Sequence, residues 1–233
     1  MGHPFQSLTA AYIGPFVVFM LLMAVGPFIL DILPVWPFAP EYIVYPLQTL
    51  VCGALLAYFW KRYEFNGIRY LSVIFAVGFF VFAIWTAPQF FHWAGPRRMG
   101  FNPDFFAANP TGYWATVILR FVRLVIVVPL LEEIFWRGFL MRYLISDRWN
   151  EVPFGQFQWK AYLLTTAAFT LAHWGSEPNW MPGPDVPAAF LCGLIYNGIA
   201  CVTKSLGSCV FAHAVTNLFL GLYIMFTKQW GFW

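Results

Sequence analysis

The chain has 233 residues, of which 61% are hydrophobic and only 10% are charged, and its formal net charge at pH 7 is +3. Soluble domains carry about 25% charged residues, so the composition indicates an integral membrane protein surrounded by lipid and excludes an ordinary soluble domain. The positive charge is small and scattered. We therefore expect no nucleic-acid partner.

Seven apolar segments follow one another along the chain, at 11–30, 43–60, 68–86, 113–145, 159–175, 186–203 and 206–226. Most approach the roughly 20 residues that a transmembrane helix needs. The fourth is too long for one perpendicular crossing, so it must tilt, bend at Pro129 or extend past the bilayer surface. The predicted fold class is all-α, a polytopic transmembrane bundle of about seven or eight helices that forms one transmembrane domain over residues 1–233. Its longest loop is predicted between Pro88 and Gly112.

The basic residues outside the segments are distributed unequally between the two sides of the predicted bundle. One side carries seven of them, namely Lys61, Arg62, Arg69, Arg142, Arg148, Lys160 and Lys204, and the other carries Arg97, Arg98 and Lys228. The positive-inside rule places the richer side in the cytoplasm. We therefore predict a multi-pass protein of the cell membrane with a cytoplasmic N-terminus.

The fourth segment carries five charged residues in apolar surroundings, which are Arg120, Arg123, Glu132, Glu133 and Arg137. Each charge at the bilayer centre costs roughly 2.5–3.5 kcal/mol on insertion scales, so such residues are functional candidates. Glu133 and Arg137 are four residues apart and are predicted to pair on one helix face, which fits a structural role as well as a functional one. Glu132 lies about 100° further round the helix and has no such partner in its own turn.

Polar side chains in two other segments complete a candidate site. Phe169 and His173 are four residues apart in the fifth segment, and His213 and Asn217 are four apart in the seventh. A single histidine in an apolar helix is more often structural. However, Glu132, His173 and Asn217 each lie 13 residues from the cytoplasmic end of their segment, which is about 20 Å, and His213 is one turn shallower. We therefore expect these four side chains to converge in one cavity.

This set of side chains suits the hydrolysis of an amide bond. A carboxylate without a charged partner is a stronger base in a low-dielectric pocket than in water, and it can take a proton from a water molecule. One imidazole can orient that water or pass a proton to the leaving amine, and a second imidazole with an amide can stabilise an oxyanion. No Ser or Cys is placed with a base partner, so a covalent nucleophile is not indicated. Spacing leaves open a divalent metal such as zinc, held by Glu132, His173 and His213.

Three motifs in this order resemble those of the CAAX prenyl protease and bacteriocin-processing family of intramembrane proteases, also called the CPBP or Abi family. They are Glu-Glu-x-x-x-Arg at Glu132, Glu133 and Arg137, Phe-x-x-x-His at Phe169 and His173, and His-x-x-x-Asn at His213 and Asn217. The resemblance covers about residues 125–221, a CAAX-protease-like core, and leaves the first three segments without a motif. The stretch before the last motif also resembles the family's Thr-Gly-Ser-Leu, with Lys204 in place of the glycine.

The resemblance implies an intramembrane endopeptidase that hydrolyses a peptide bond of a membrane-associated polypeptide. In it Glu132 activates the water with the help of His173, and His213 and Asn217 form the oxyanion site. Supporting roles fall to Glu133, Arg137 and Phe169. The family has been described both as metalloproteases and as glutamate-dependent proteases. We favour the second description, which requires no cofactor. A bacterial subgroup that accompanies an exosortase-type sorting system is one interpretation of the chain.

Two alternatives from other functional classes remain at this point. A proton-coupled carrier also uses buried Glu, His and Arg, but carriers are commonly built from two matching halves, and no repeat is visible in the sequence. A non-catalytic membrane scaffold or immunity protein would keep the pocket for packing alone. Such a scaffold would retain its full biological activity after Glu132→Gln, whereas a protease would not.

Overall fold

The computed structural model describes residues 7–32, 40–174 and 185–233. Within these ranges the chain forms helices and no strand, which confirms the all-α prediction. Seven helices have 14 residues or more: α1 Leu8–Ile32, α2 Glu41–Tyr58, α3 Leu71–Phe90, α4 Pro110–Tyr143, α5 Trp159–Ala172, α6 Asp185–Thr203 and α7 Leu206–Thr227. Short 3-10 helices lie at Trp60–Arg62, Pro103–Phe106, Trp149–Glu151 and Trp230–Phe232.

Five of the described helices are long and apolar enough to cross a membrane, namely α1, α3, α4, α6 and α7. This number confirms a polytopic helical membrane protein. α2 and α5 are not among the five, and α5 has 14 residues where a crossing needs about 20. Crossings at 43–60 and 159–175, and with them the cytoplasmic N-terminus, stay predictions.

Helix α4 accommodates its length and its proline through changes in helical geometry. Its 34 residues correspond to about 50 Å at the α-helical rise, well beyond a hydrocarbon core of about 30 Å. Two stretches within it, Arg123–Val127 and Ile134–Leu140, are π-helical. The first ends two residues before Pro129. Proline lacks an N–H and crowds the carbonyl group four residues earlier, and a wider turn relieves that clash.

The loop predicted between Pro88 and Gly112 is shorter at both ends than expected. Helix α3 includes Pro88 and continues to Phe90, and α4 begins at Pro110. Asn109 caps α4, because its Oδ1 accepts a hydrogen bond from the backbone N–H of Gly112 at 3.1 Å. An asparagine followed by proline is a recognised helix start, since the side chain satisfies one free N–H and the proline has none to satisfy.

The chain packs into two compact units. Unit 1 comprises Met1–Tyr63, Arg97–Leu131 and Gly221–Trp233, and unit 2 comprises Glu64–Pro96 and Glu132–Leu220. In unit 1, α1 packs on α2, and α2 packs on the first half of α4. In unit 2, α3 and α5 both pack on α6, and α5 also contacts the π-helical stretch Ile134–Leu140. All three motifs lie in unit 2. A single domain over residues 1–233 stays a prediction.

The turn between α6 and α7 is held by polar contacts to a neighbouring loop of unit 2. Ser205 Oγ donates to the carbonyl oxygen atoms of Phe65 and Gly67, and the N–H of Gly207 donates to Phe65 O at 2.7 Å. Lys204 precedes this turn with a φ of 52°, in the left-handed region that favours glycine. This backbone conformation accounts for a glycine at the corresponding place of the Thr-Gly-Ser-Leu stretch.

Candidate active site

Glu133 lies at the centre of a buried hydrogen-bond network in unit 2. Its Oε1 accepts hydrogen bonds from Arg137 Nη1 at 3.0 Å and from His213 Nδ1 at 2.8 Å. The ion pair predicted from the four-residue spacing is therefore present, and neither of its side chains is exposed. A carboxylate paired with a guanidinium group is ionised and can only accept hydrogen bonds, so we assign the Nδ1 proton to His213.

Arg137 is clamped by groups from two further helices. Its Nε donates to Asn197 Oδ1 at 3.0 Å, and its Nη2 donates to the carbonyl oxygen of Gly193 at 3.5 Å, both on α6. The guanidinium carbon lies 5.0 Å from the ring centre of Phe169 on α5 and 5.3 Å from that of Tyr196 on α6. The side chain therefore has an ionic partner, a neutral acceptor and two aromatic faces, and its orientation is fixed.

Asn197 connects this clamp to α5 and was not predicted from the sequence. Its Nδ2 donates to the carbonyl oxygen of Tyr162 and to Thr166 Oγ1, each at 3.0 Å, and its side chain is completely buried. An asparagine is rarely buried unless its amide is hydrogen-bonded. The sequence signal for this residue was an asparagine within an apolar membrane segment. Spacing alone does not identify its hydrogen-bond partners.

The ring of His213 is fixed by a second neighbour that sequence reasoning missed. The Tyr196 ring stacks on it, with centroids 5.1 Å apart and an interplanar angle of 20°. Tyr196 OH donates to Thr216 Oγ1 at 2.8 Å, which in turn donates to the carbonyl oxygen of Gly78 at the same distance. With one nitrogen atom bound to Glu133 and one face covered by Tyr196, the imidazole has little rotational freedom.

His173 occupies a helix end, whereas the sequence placed it within a helix. Helix α5 ends at Ala172, and the predicted end of the fifth segment at 175 lies outside the described residues. His173 Nδ1 donates to the carbonyl oxygen of Phe169 at 2.8 Å. The last carbonyl groups of a helix lack intrahelical partners, and this side chain satisfies one of them. Because a carbonyl only accepts, Nδ1 carries the proton, and Nε2 of the neutral ring keeps a lone pair.

The ring of Phe169 connects the motifs of α4 and α5. It lies 4.4 Å from the His173 ring and 5.8 Å from the Trp136 ring, measured between centroids, and it faces the Arg137 guanidinium group. Adjacent contacts thus run from His213 through Glu133, Arg137 and Phe169 to His173. The three motifs therefore form one connected set within unit 2.

Glu132 differs from its neighbour in the chain. Its side chain is also buried, at 9% exposure, and its Oε2 atom, like that of Glu133, has no hydrogen-bond partner among the described residues. Unlike Glu133, Glu132 forms no ion pair among these residues. The contact with His213 is made by Glu133. Asn217 is buried one turn beyond His213 on α7, at 7% exposure. Convergence of Glu132, His173 and Asn217 with His213 in one cavity stays a prediction.

Glu132, His173 and His213 do not form a ready three-ligand metal site. Within the described ranges, no three His, Cys, Asp or Glu side chains lie close enough together to hold a metal ion.

Residues 113–219 match the family model described as type II CAAX prenyl endopeptidase Rce1-like. The matched range contains all three motifs together with Tyr196 and Asn197. No curated protein and no solved structure matches the chain significantly.

Proposed function

Because residues 113–219 match the family model of the type II CAAX prenyl endopeptidases, we propose that the chain is a CAAX prenyl protease of the CPBP family. In this proposal Glu132 activates the water that hydrolyses a peptide bond of a membrane-associated polypeptide. The family supports a membrane-embedded CAAX endopeptidase in general. The roles of single residues and the glutamate-dependent mechanism without metal are our proposal. The exosortase-associated subgroup stays a prediction.

The observation that carries the proposal is the difference between the two adjacent glutamates. Glu133 uses one oxygen atom to accept from both Arg137 and His213, so its charge is already engaged. Glu132 keeps a buried carboxylate oxygen atom without a partner among the described residues. Glu133 Oε2 also lacks a hydrogen-bond partner among the described residues, but the Glu133 carboxylate is held between Arg137 and His213. No ion pair of Glu132 is found among the described residues, so we propose Glu132 as the general base.

His173 is proposed to move the proton between Glu132 and the leaving amine. Its Nδ1–H is bound to the carbonyl group of Phe169, so Nε2 is the atom that can accept a hydrogen bond. In the proposed reaction water loses a proton to Glu132 as its oxygen atom attacks the peptide carbonyl. His173 orients the water and then accepts this proton from Glu132 at Nε2. From Nε2 the proton goes to the leaving amine as the C–N bond breaks, so both side chains return to their starting protonation states.

His213 and Asn217 are proposed to stabilise the tetrahedral intermediate. Glu133 holds the Nδ1–H of His213, and in the proposed reaction Nε2 of the same ring donates a hydrogen bond to the oxyanion. The amide of Asn217, one helical turn further, provides a second donor. Loss of one such donor in acyl-transfer enzymes typically lowers kcat by about 10²–10³. The Glu133–Arg137 pair supports this site by fixing His213.

The decisive experiment is Glu132→Gln, which preserves side-chain size and removes the base. The full chain is reconstituted in liposomes with a peptide that ends in a prenylated cysteine and three further residues, and release of the tripeptide is followed by mass spectrometry. General-base catalysis contributes typically 10²–10⁴, so we expect turnover to fall by about that factor. The thermal midpoint should change little.

The matched control is Glu64→Gln, because Glu64 is an exposed carboxylate of unit 2 and its loss should leave turnover unchanged. Wild-type turnover in Glu132→Gln would refute the assignment of the base, and full biological activity without cleavage would favour the scaffold. Assays in excess chelator with metal analysis of the purified protein address the cofactor. We expect cleavage to persist without stoichiometric metal.

A further inference from the structure

Helix α3 carries none of the three motifs, yet one of its side chains contacts His173. The ring of Trp85 lies 5.6 Å from the His173 ring, measured between centroids, at an interplanar angle of 77°. Within the described part of the chain, this is the one ring contact that His173 makes outside α5. Trp85 is half-buried, as is His173 itself. Helix α3 therefore contributes directly to the surroundings of a proposed proton carrier.

The imidazole of His173 needs such a neighbour, because α5 fixes only one edge of it. His173 lies just beyond the last residue of the helix, and its Nδ1–H is bound to the carbonyl oxygen of Phe169 at 2.8 Å. A single hydrogen bond leaves a ring free to pivot about it, and Nε2 lies on the opposite edge. The Phe169 ring meets the imidazole at 38° and the Trp85 ring meets it at 77°, so the two rings restrict different directions of that movement. Tilted and edge-to-face pairs are favourable arrangements of aromatic rings.

Trp85 has a fixed position because α3 is anchored to α7 within unit 2. A Cβ atom at Gly78 would lie 2.5 Å from the carbonyl oxygen of Ala212, closer than such atoms approach in proteins, so only glycine permits this contact. The carbonyl oxygen of Gly78 accepts a hydrogen bond from Thr216 Oγ1 at 2.8 Å. The ring of Phe219 lies 4.9–6.0 Å from three phenylalanine rings of α3. These contacts hold α3 closely against the helix that carries His213.

The anchor at Gly78 and the contact at Trp85 lie on one face of α3. Seven residues separate the two positions, which corresponds to about two helical turns and about 10 Å along the axis. The first position touches α7 at Ala212, the residue before His213, and the second touches the ring of His173. A functional side chain is held precisely when its neighbours are themselves locked by packing on rigid elements. Helix α3 provides such a support for His173.

We propose that Trp85 is a positioning residue for the hydrolysis, which holds the imidazole of His173 against Phe169 so that Nε2 keeps the orientation needed for proton transfer. This inference rests on the proposed function, in which Nε2 takes the proton from Glu132 and passes it to the leaving amine. A displacement of about 1 Å at a reacting group can cost 10²-fold in rate. Because Trp85 acts through His173, its loss lowers the rate of the chemical step and leaves substrate binding nearly unchanged.

The kinetic experiment compares Trp85→Leu with the wild-type chain in liposomes, with the prenylated peptide as substrate. We expect kcat to fall by about 10-fold to 10²-fold with KM nearly unchanged, and Trp85→Phe, which keeps a ring, should retain most of the turnover. In a His173→Gln background, Trp85→Leu should lower kcat no further, because the side chain that it positions is already gone. The matched control is Trp93→Leu, since Trp93 lies beyond the end of α3 and is 75% exposed. Its loss should leave kcat unchanged.

Three kinetic outcomes would overturn the role of Trp85 while cleavage itself is observed. The first is a wild-type kcat in Trp85→Leu. The second is a higher KM with an unchanged kcat, which would make Trp85 a substrate contact. The third is a full loss of kcat from Trp85→Leu in the His173→Gln background, which would mean that Trp85 acts elsewhere.

A second readout needs neither turnover nor a folded Trp85→Leu variant. The 12 tryptophans are replaced by 5-fluorotryptophan, and the ¹⁹F resonance of Trp85 in the detergent-solubilised chain is assigned by its absence in Trp85→Phe. We expect His173→Gln to shift this resonance and to leave that of Trp93 in place. Tripeptide release with an unshifted Trp85 resonance would refute the role of Trp85 alone. A shifted resonance in a chain that releases no tripeptide would refute the proposed function, and with it any role of the contact in hydrolysis.

Discussion

Two arginines of helix α4 are equally buried and have very different surroundings. Arg137 in unit 2 is 1% exposed, pairs with Glu133 and donates to Asn197. Arg120 in unit 1 is also 1% exposed, yet its guanidinium nitrogen atoms have no hydrogen-bond partner among the described residues. Both side chains face aromatic rings. The difference therefore lies in the groups at the edge of the guanidinium plane.

This comparison shows that burial of a charge does not by itself indicate what the charge does. Removing one partner of a buried ion pair leaves the other charge uncompensated and is strongly destabilising, whereas replacing an uncompensated ion by an apolar side chain can be neutral or favourable. Arg137 belongs to the first case, and Arg120, which forms no salt bridge among the described residues, belongs to the second. The two arginines should therefore respond in opposite ways to the same substitution.

The largest expected effect comes from substituting methionine at each position. Arg137→Met leaves the Glu133 carboxylate buried without its cation, so we expect the free energy of unfolding to fall by about 3–5 kcal/mol and cleavage to be lost. Arg120→Met should cost less than about 1 kcal/mol, or stabilise the chain, because it removes an ion that forms no salt bridge among the described residues. Denaturant unfolding in mild detergent measures both. Equal losses from the two substitutions would contradict the comparison.

An intermediate effect is expected when Arg137 loses one of its hydrogen-bond acceptors. Asn197→Leu removes the acceptor of Arg137 Nε, and an unsatisfied buried donor costs about 1–3 kcal/mol. Asn197 acts through Arg137 and Glu133 on His213, so we expect kcat to fall with KM nearly unchanged. Asn150→Leu is the matched control, since Asn150 is exposed. A purely structural role for Asn197 would lower stability and leave kcat per folded enzyme unchanged.

The helices could be predicted largely from the sequence, and the reason is physical. A bilayer requires long apolar runs, so each of the seven predicted segments contains an observed helix with ends within a few residues. The errors are at helix ends, where capping decides. The start of α4 at Asn109–Pro110 follows from local capping chemistry. The end of α5 at Ala172 was not, because it depends on the His173 side chain bonding back to Phe169.

The candidate site was predictable only where it depends on spacing within one helix. The pairing of Glu133 with Arg137 follows from helical periodicity. The contact of His213 with Glu133 and the clamp by Asn197 join residues 80 and 60 positions apart. Such contacts depend on how helices pack within unit 2, and periodicity along one helix contains no information about them.

The smallest predicted effect lies at the turn between α6 and α7, away from the contacts of both arginines. Lys204 has a φ of 52°, where an L side chain costs about 1–2 kcal/mol and glycine has no such penalty. Its Nζ donates to the carbonyl oxygen of Gly155, so Lys204→Gly also loses a contact. Lys204→Ala loses the same contact and keeps the strain. We therefore expect the glycine variant to be more stable than the alanine variant by about 1 kcal/mol.

The control position is Lys160, in the first turn of α5. There the alanine variant should be more stable than the glycine variant, because alanine has the higher helix propensity. An alanine variant as stable as the glycine variant at position 204 would mean that the left-handed conformation is not adopted.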